Sequence, residues 1–190
     1  MDIEIIEESG YENALRGMGM SYDREDDLLS DLHKTALRLA PKNGGHNKFL
    51  ESLNVALRIN APLYFWKQFD TYRVGITKQS ESTMHFVTKK EFKRDSFEGG
   101  LEGVTLETLI DLNWIRDQHF SPSGNKENCF NMIIKRLPSS FLQARRISTN
   151  YKVIANMIYQ RKNHKLYEWK KFIDHMKNLE HFCFLESLYR

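Results

Sequence analysis

The chain has 190 residues, 41% hydrophobic and 12% aromatic, enough for one real core and too few to divide comfortably, so a single domain spanning 1–190 is expected. Its 28 Lys and Arg exceed 25 Asp and Glu by three, a surplus that suits an anionic small molecule and does not demand nucleic acid. Cys129 and Cys183 stand far apart without CxxC or Cys/His spacing, which argues against zinc and a disulfide framework and for thiols in a reducing cytosol.

The start, MDIEIIEESG, carries acids where a secretion signal needs bases, and no stretch approaches the roughly 18 apolar residues of a membrane helix. A soluble, cytoplasmic protein is expected. Residues 2–6 alternate acidic and apolar side chains and predict a short strand, followed by a Gly-rich turn around Gly17 and Gly19. From Asp26 to Leu39 the positions Leu28, Leu29, Leu32, Ala36, Leu37 and Leu39 have helical spacing, ended by Pro41 and the Gly44-Gly45 pair. Between Leu50 and Asn60, Leu53, Val55, Leu57 and Ile59 fall on one face and Asn54, Ala56, Arg58 and Asn60 on the other. This is the strongest strand signal in the chain.

Pro62 stops that strand, and the apolar run Leu63 to Phe69 predicts a buried helix or turn leading to Arg73. The polar segment Thr77 to Ser82 then reads as an anion-binding loop, with hydroxyls and backbone amides for a phosphate. Residues 86–103 are charged and glycine-containing and read as an excursion. Helix resumes over Leu106–Phe120 with a stripe of Leu109, Ile110, Leu112 and Ile115, and turns follow at residues 121–125 and at Leu137-Pro138. In the last third, Val153, Ile154, Met157 and Ile158, then Trp169, Phe172, Ile173 and Met176, have the spacing of two helices.

Arg161 follows Met157 by four residues and Ile154 by seven, which sets its guanidinium near the apolar stripe. An unpaired charge there would cost about 3 kcal/mol or more, so it needs a local acid, carbonyls or a ligand. Asn150 suits the N-cap of the same helix, whereas Asn156 sits among apolar neighbours and needs partners for its amide. Lys135-Arg136 and Arg145-Arg146 could hold phosphate or be plain solvated surface. His46 follows the glycine pair and could approach a ligand, while His85 and His164 are isolated in sequence. The seven histidines lack metal-helix spacing, and GxSxG, GxGxxG and GxxxxGK are absent.

In order and spacing these features resemble the flavin-dependent thymidylate synthases. Gly45-His46 with Leu50-Glu51 is similar to that family's GH-x3-LE-H element, and Ala61-Pro62, Gln68 and Arg73 fall in register with its AP-x5-Q-x2-RHR segment. Leu137-Pro138, Asn150, Asn156, Arg161, His164 and Glu168 follow its LP, N-x5-N-x4-R and H-x3-E series. The departures are specific. Thr71-Tyr72-Arg73 stands for RHR, Lys78-Gln79 for the NE pair, Met84 for an Arg after the serines, Ser52 for a His, and Ile134 for an Arg that Lys135 or Arg136 could replace.

The resemblance implies an α+β fold with a mixed or antiparallel sheet flanked by helices, a homotetramer, and FAD with a pyrimidine deoxynucleotide such as dUMP over it. NADPH and methylenetetrahydrofolate would serve as co-substrates for transfer of a one-carbon unit to the base. Carried over, Gln68, Ser80, Ser82, Arg136 and Arg161 would hold the nucleotide, with Arg161 polarising the pyrimidine edge as the catalytic cation. His46, Arg73, Gln79, Asn150, Asn156 and His164 would lie at the flavin. The alternative expectation is a non-catalytic nucleotide-binding or protein-interaction module on the same fold.

Overall fold

A computed structural model describes residues 1–42, 45–83 and 87–189, the side chains of residues 188 and 189 excepted. The fold is α+β, as expected, with a four-stranded antiparallel sheet in the order β1-β2-β4-β3. The strands are β1 (Asp2–Ser9), β2 (Asn54–Pro62), β3 (Thr77–Ser80) and β4 (Leu142–Asn150). The helices among the described residues are α1 (Tyr11–Met20), α2 (Leu29–Leu39), α3 (Leu63–Phe69), α4 (Leu106–Phe120), α5 (Lys126–Arg136), α6 (Tyr151–Arg161), α7 (Tyr167–Met176) and the single turn α8 (Glu186–Tyr189). Among the described residues no helix is long and apolar enough to cross a membrane.

The chain packs as two compact units. The first comprises Met1–Asp2, Ile59–Thr71 and Gln79–Arg145, and the second Ile3–Arg58, Tyr72–Lys78 and Arg146–Arg190. In the first, α4 packs on α5 over a core containing Val87, Phe92, Phe97, Leu112, Ile115, Ile133 and Phe141. Both helices begin on side-chain caps, Thr105 accepting from the Thr108 N–H and Asn125 from the Asn128 N–H, which satisfies amides left open by the first turn. Ile110 departs from the expected stripe: it is exposed, and the inward face is Leu109, Leu112 and Ile115.

In the second unit α1 packs on α2, and α6 packs on α7 and on a short 3-10 turn at Lys48–Glu51. That turn takes the beginning of the expected Leu50–Asn60 strand, so β2 starts at Asn54. Its alternation is as expected, with Val55, Leu57 and Ile59 buried on one face. The Gly-rich turn expected at Gly17 and Gly19 is instead the last part of α1. Gly19 is there for closeness: a Cβ would meet the Arg24 carbonyl oxygen at 2.9 Å and Leu32 Cδ2 at 3.0 Å. Gly44, Met84, His85 and Phe86 lie outside the described residues.

The C-terminal segment of this unit closes on α1 and α2 through rings. Tyr11 stacks on His181 with centroids 3.9 Å apart, its hydroxyl and His33 Nδ1 share a 2.7 Å hydrogen bond, and His33 tilts against Phe184. Burial, aided by the charge of His181, holds the His33 pKa below the ordinary histidine value. The unfolded chain therefore binds a proton more readily there, so this stability is present above pH ~6.5 and fades as the pH falls through that value toward the depressed one. The melting temperature should drop between about pH 7.5 and about pH 5.5, and His33→Gln should flatten the slope. An unaltered slope in that variant would assign the effect to other groups.

Candidate functional site

The segment from Tyr72 to Lys78 lies along α6, and glycine makes this possible. Gly75 has φ +69, and a Cβ on it would stand 2.8 Å from Val153 Cγ2 and 3.4 Å from Asn150 Nδ2. Only a residue without a side chain can occupy that conformation at that distance. Thr149 Oγ1 fixes the loop by donating to the Gly75 carbonyl at 3.0 Å, and Asn150 Oδ1 caps α6 by accepting from the Val153 N–H at 3.0 Å. The N-cap read for Asn150 from sequence is therefore what its oxygen does. A groove of about 520 Å³ runs beside this junction, lined by Glu7, Ser9, Asn54, Gly75, Thr77, Ser148 and Asn150 among others.

Arg161 sits at the other end of α6. Its Nε donates to the Tyr72 hydroxyl at 3.0 Å, and its guanidinium carbon lies 4.9 Å from the Trp169 ring centroid and 5.6 Å from that of Tyr72. Half-buried aromatic seating stabilises a cation by about 0.5–2 kcal/mol, and with the Tyr72 hydroxyl it is what holds this charge. The Tyr72 hydroxyl donates in turn to Gln160 Oε1 at 3.0 Å, and Gln160 Nε2 donates to Asn156 Oδ1 at 3.0 Å. Asn156 is exposed and not among apolar neighbours as its sequence position suggested, because the helix turns it away from Ile154, Met157 and Ile158.

His164 is next to this cluster, its ring 6.3 Å from Trp169, and its Nδ1 accepts from the Leu166 N–H at 3.1 Å. Burial and then the charge of Arg161 lower its pKa, which favours a neutral imidazole with its proton on Nε2. Arg73 is exposed. His46 is also exposed and lines a separate cleft of about 600 Å³ with Asn13, Gly17, Met18 and Lys48.

The remaining predicted residues belong to the first unit. Gln68 is half-buried at the end of α3, where its carbonyl accepts from the Thr71 N–H and from the Thr71 hydroxyl. The expected loop at 77–82 is partly the short edge strand β3, with Gln79, Ser80 and Ser82 exposed. It is fixed by the Glu81 N–H donating to the Ala144 carbonyl at 3.0 Å and by Gln143 Nε2 donating to the Glu81 carbonyl at 2.9 Å. The basic residues expected to gather for phosphate are engaged separately. Arg136 pairs with Asp111 at 2.6 Å, and Arg145 pairs with Asp70 at 2.8 Å while lying 4.3 Å from the Trp66 ring centroid. Sequence reasoning missed Tyr72 and Trp169 as partners of Arg161 and Gln160 as the partner of Tyr72, since the Arg161–Tyr72 and Tyr72–Gln160 contacts join positions up to 89 residues apart.

A structure of the flavin-dependent thymidylate synthase from Helicobacter pylori with FAD and dUMP matches this chain with a TM-score of 0.78 at 14% identity, covering 100% of both chains. The fold is that of the flavin-dependent thymidylate synthases. A UMP/dUMP methylase, PolB from Streptomyces cacaoi, bound with 5-Br dUMP matches with a TM-score of 0.69 at 10% identity, covering 99% of this chain and 94% of that one. No family model matches the sequence, and no curated protein matches it.

Proposed function

We propose that this protein binds FAD and a uracil deoxynucleotide of the dUMP type and transfers a one-carbon unit to the base. The observation that carries the reading is Arg161, a half-buried cation fixed by its Nε and two rings, in a fold whose solved examples include enzymes holding dUMP and its 5-bromo analogue. A preorganised guanidinium aimed at an oxygen of the base stabilises the charge that develops when the ring is attacked, without reorganisation cost. Gln68, Ser80, Ser82 and Arg136 are the other residues that the family resemblance assigns to the nucleotide.

The groups assigned to the flavin are rich in donors, which fits a carbonyl-bearing heterocycle and a diphosphate. They are the amides of Asn150, Asn156 and Gln79, the Nε2–H of neutral His164, the exposed cation Arg73 and the imidazole of His46. When bound, FAD would supply the electron transfer for the methyl group. NADPH as reductant, methylenetetrahydrofolate as carbon donor, a homotetramer and a cytoplasmic location belong to the same proposal.

Thr71 favours a second reading. It stands where a guanidinium would face the flavin, and its hydroxyl is spent on the Gln68 carbonyl at 2.7 Å, so a non-catalytic nucleotide-binding module remains a distinct outcome. The two readings separate in one experiment. The enzyme reading expects a yellow purified protein, or one that takes up added FAD, and a ligand at 100 times its Kd should add about 2.7 kcal/mol of stability. A thermal shift with dUMP and none with FAD supports the module. A colourless protein that responds to neither overturns both.

A further inference from the structure

We infer that Tyr72 is a positioning residue for the nucleotide site: its hydroxyl orients the Arg161 guanidinium toward the base. The inference rests on the nucleotide reading given above. A hydroxyl accepts and donates at once, and here it does both, accepting from Arg161 Nε and donating to Gln160 Oε1, each at 3.0 Å. Gln160 is itself held, its Nε2 donating to Asn156 Oδ1 at 3.0 Å. The chain Arg161, Tyr72, Gln160, Asn156 thus returns to the helix it leaves, and it ties together the residue proposed for the base and one proposed for the flavin.

The ring adds a second constraint. Tyr72 is buried edge-on to Trp169, with centroids 5.9 Å apart at 68°, and Trp169 is fully buried under the Arg161 guanidinium. With Nε committed and two rings beside it, the guanidinium has little rotational freedom. Among the described residues no hydrogen bond engages its two terminal nitrogens, and these form the pair of parallel donors that a carbonyl or phosphate oxygen can use. An imidazolium at position 72 would have two donors and no acceptor for Nε. The phenol therefore fixes the arginine in a way that a charged histidine could not.

Tyr72→Phe keeps the ring and removes both hydrogen bonds. Arginine side-chain NMR should show a slowly exchanging Arg161 Nε–H in the unaltered protein that broadens or is lost in the variant, and the dUMP Kd should rise about tenfold. In an Arg161→Lys background, where there is no Nε–H to hold, Tyr72→Phe should change the dUMP Kd less than about twofold. Tyr159→Phe, an exposed tyrosine on the same helix, controls for a general effect of hydroxyl loss. A lowered melting temperature with an unchanged dUMP Kd would make Tyr72 a packing residue and overturn the inference, as would additive losses in the two backgrounds. If the Nε–H signal behaves as expected but the unaltered protein binds no dUMP, the nucleotide reading fails while the arginine clamp stands as structure only.

Discussion

Trp66→Ala should lower the free energy of unfolding by about 3–5 kcal/mol. The side chain is 1% exposed, stacked edge-to-face with Phe69 at 5.3 Å and Phe65 at 5.6 Å between centroids, so truncation opens a cavity in the first unit. Two polar consequences add to the lost packing. The indole N–H donates to the Gln143 carbonyl at 3.0 Å, and removing it leaves that buried oxygen without this donor. Arg145 loses the ring beneath its guanidinium while keeping Asp70. Since domains of this size are stable by about 5–15 kcal/mol in all, urea denaturation should show the variant near the edge of folding. Lys67→Ala, one residue on and exposed, should change stability by less than about 0.5 kcal/mol. A loss of under about 1 kcal/mol in Trp66→Ala would mean that the site collapses around the gap.

Arg161→Ala should weaken dUMP binding ten- to hundredfold, the equivalent of about 1.5–3 kcal/mol for a lost charge-assisted hydrogen bond. Calorimetric titration reads this directly. Arg161→Lys should recover only part of the loss, because an ammonium is a point charge without the planar pair of donors. The melting temperature should fall modestly in both variants, as Trp169 loses the guanidinium stacked at 4.9 Å. Equal dUMP affinity in the unaltered protein and in Arg161→Ala would remove this residue from the proposed site.

Much of the scaffold is legible in the sequence where one face is apolar and the other polar. The alternation at Leu53, Val55, Leu57 and Ile59 and the helical phase of Leu109, Leu112 and Ile115 both lead to the observed burial. Strand β4 is not legible, for the opposite reason. Its inward residues include Gln143 and Thr149, whose polar atoms are satisfied by Glu81, Thr83, Arg145 and Gly75, so the alternation exists in space and not in hydropathy. Helix α5 leaves no apolar stripe to read, because only Cys129 and Ile133 are buried along it. At the site, the helical phase of Arg161 was readable and its seating was not. A hydrogen bond between residues 72 and 161 depends on the route of the chain, which no local pattern encodes.

An open sheet has two rims, and here they are β1 and β3. A rim with unpaired amides and carbonyls invites a further strand from any passing chain, including another copy of the same protein. Strand β1 carries Asp2, Glu4 and Glu7 in the sequence DIEIIEES, so two such rims brought together would set carboxylates against carboxylates. Strand β3 is only four residues long, TKQS, and mostly exposed, which leaves too short and too polar a template for added pairing. Rims of this kind should resist clumping whether or not a ligand is bound, most strongly at low ionic strength, where the charges on β1 are least screened.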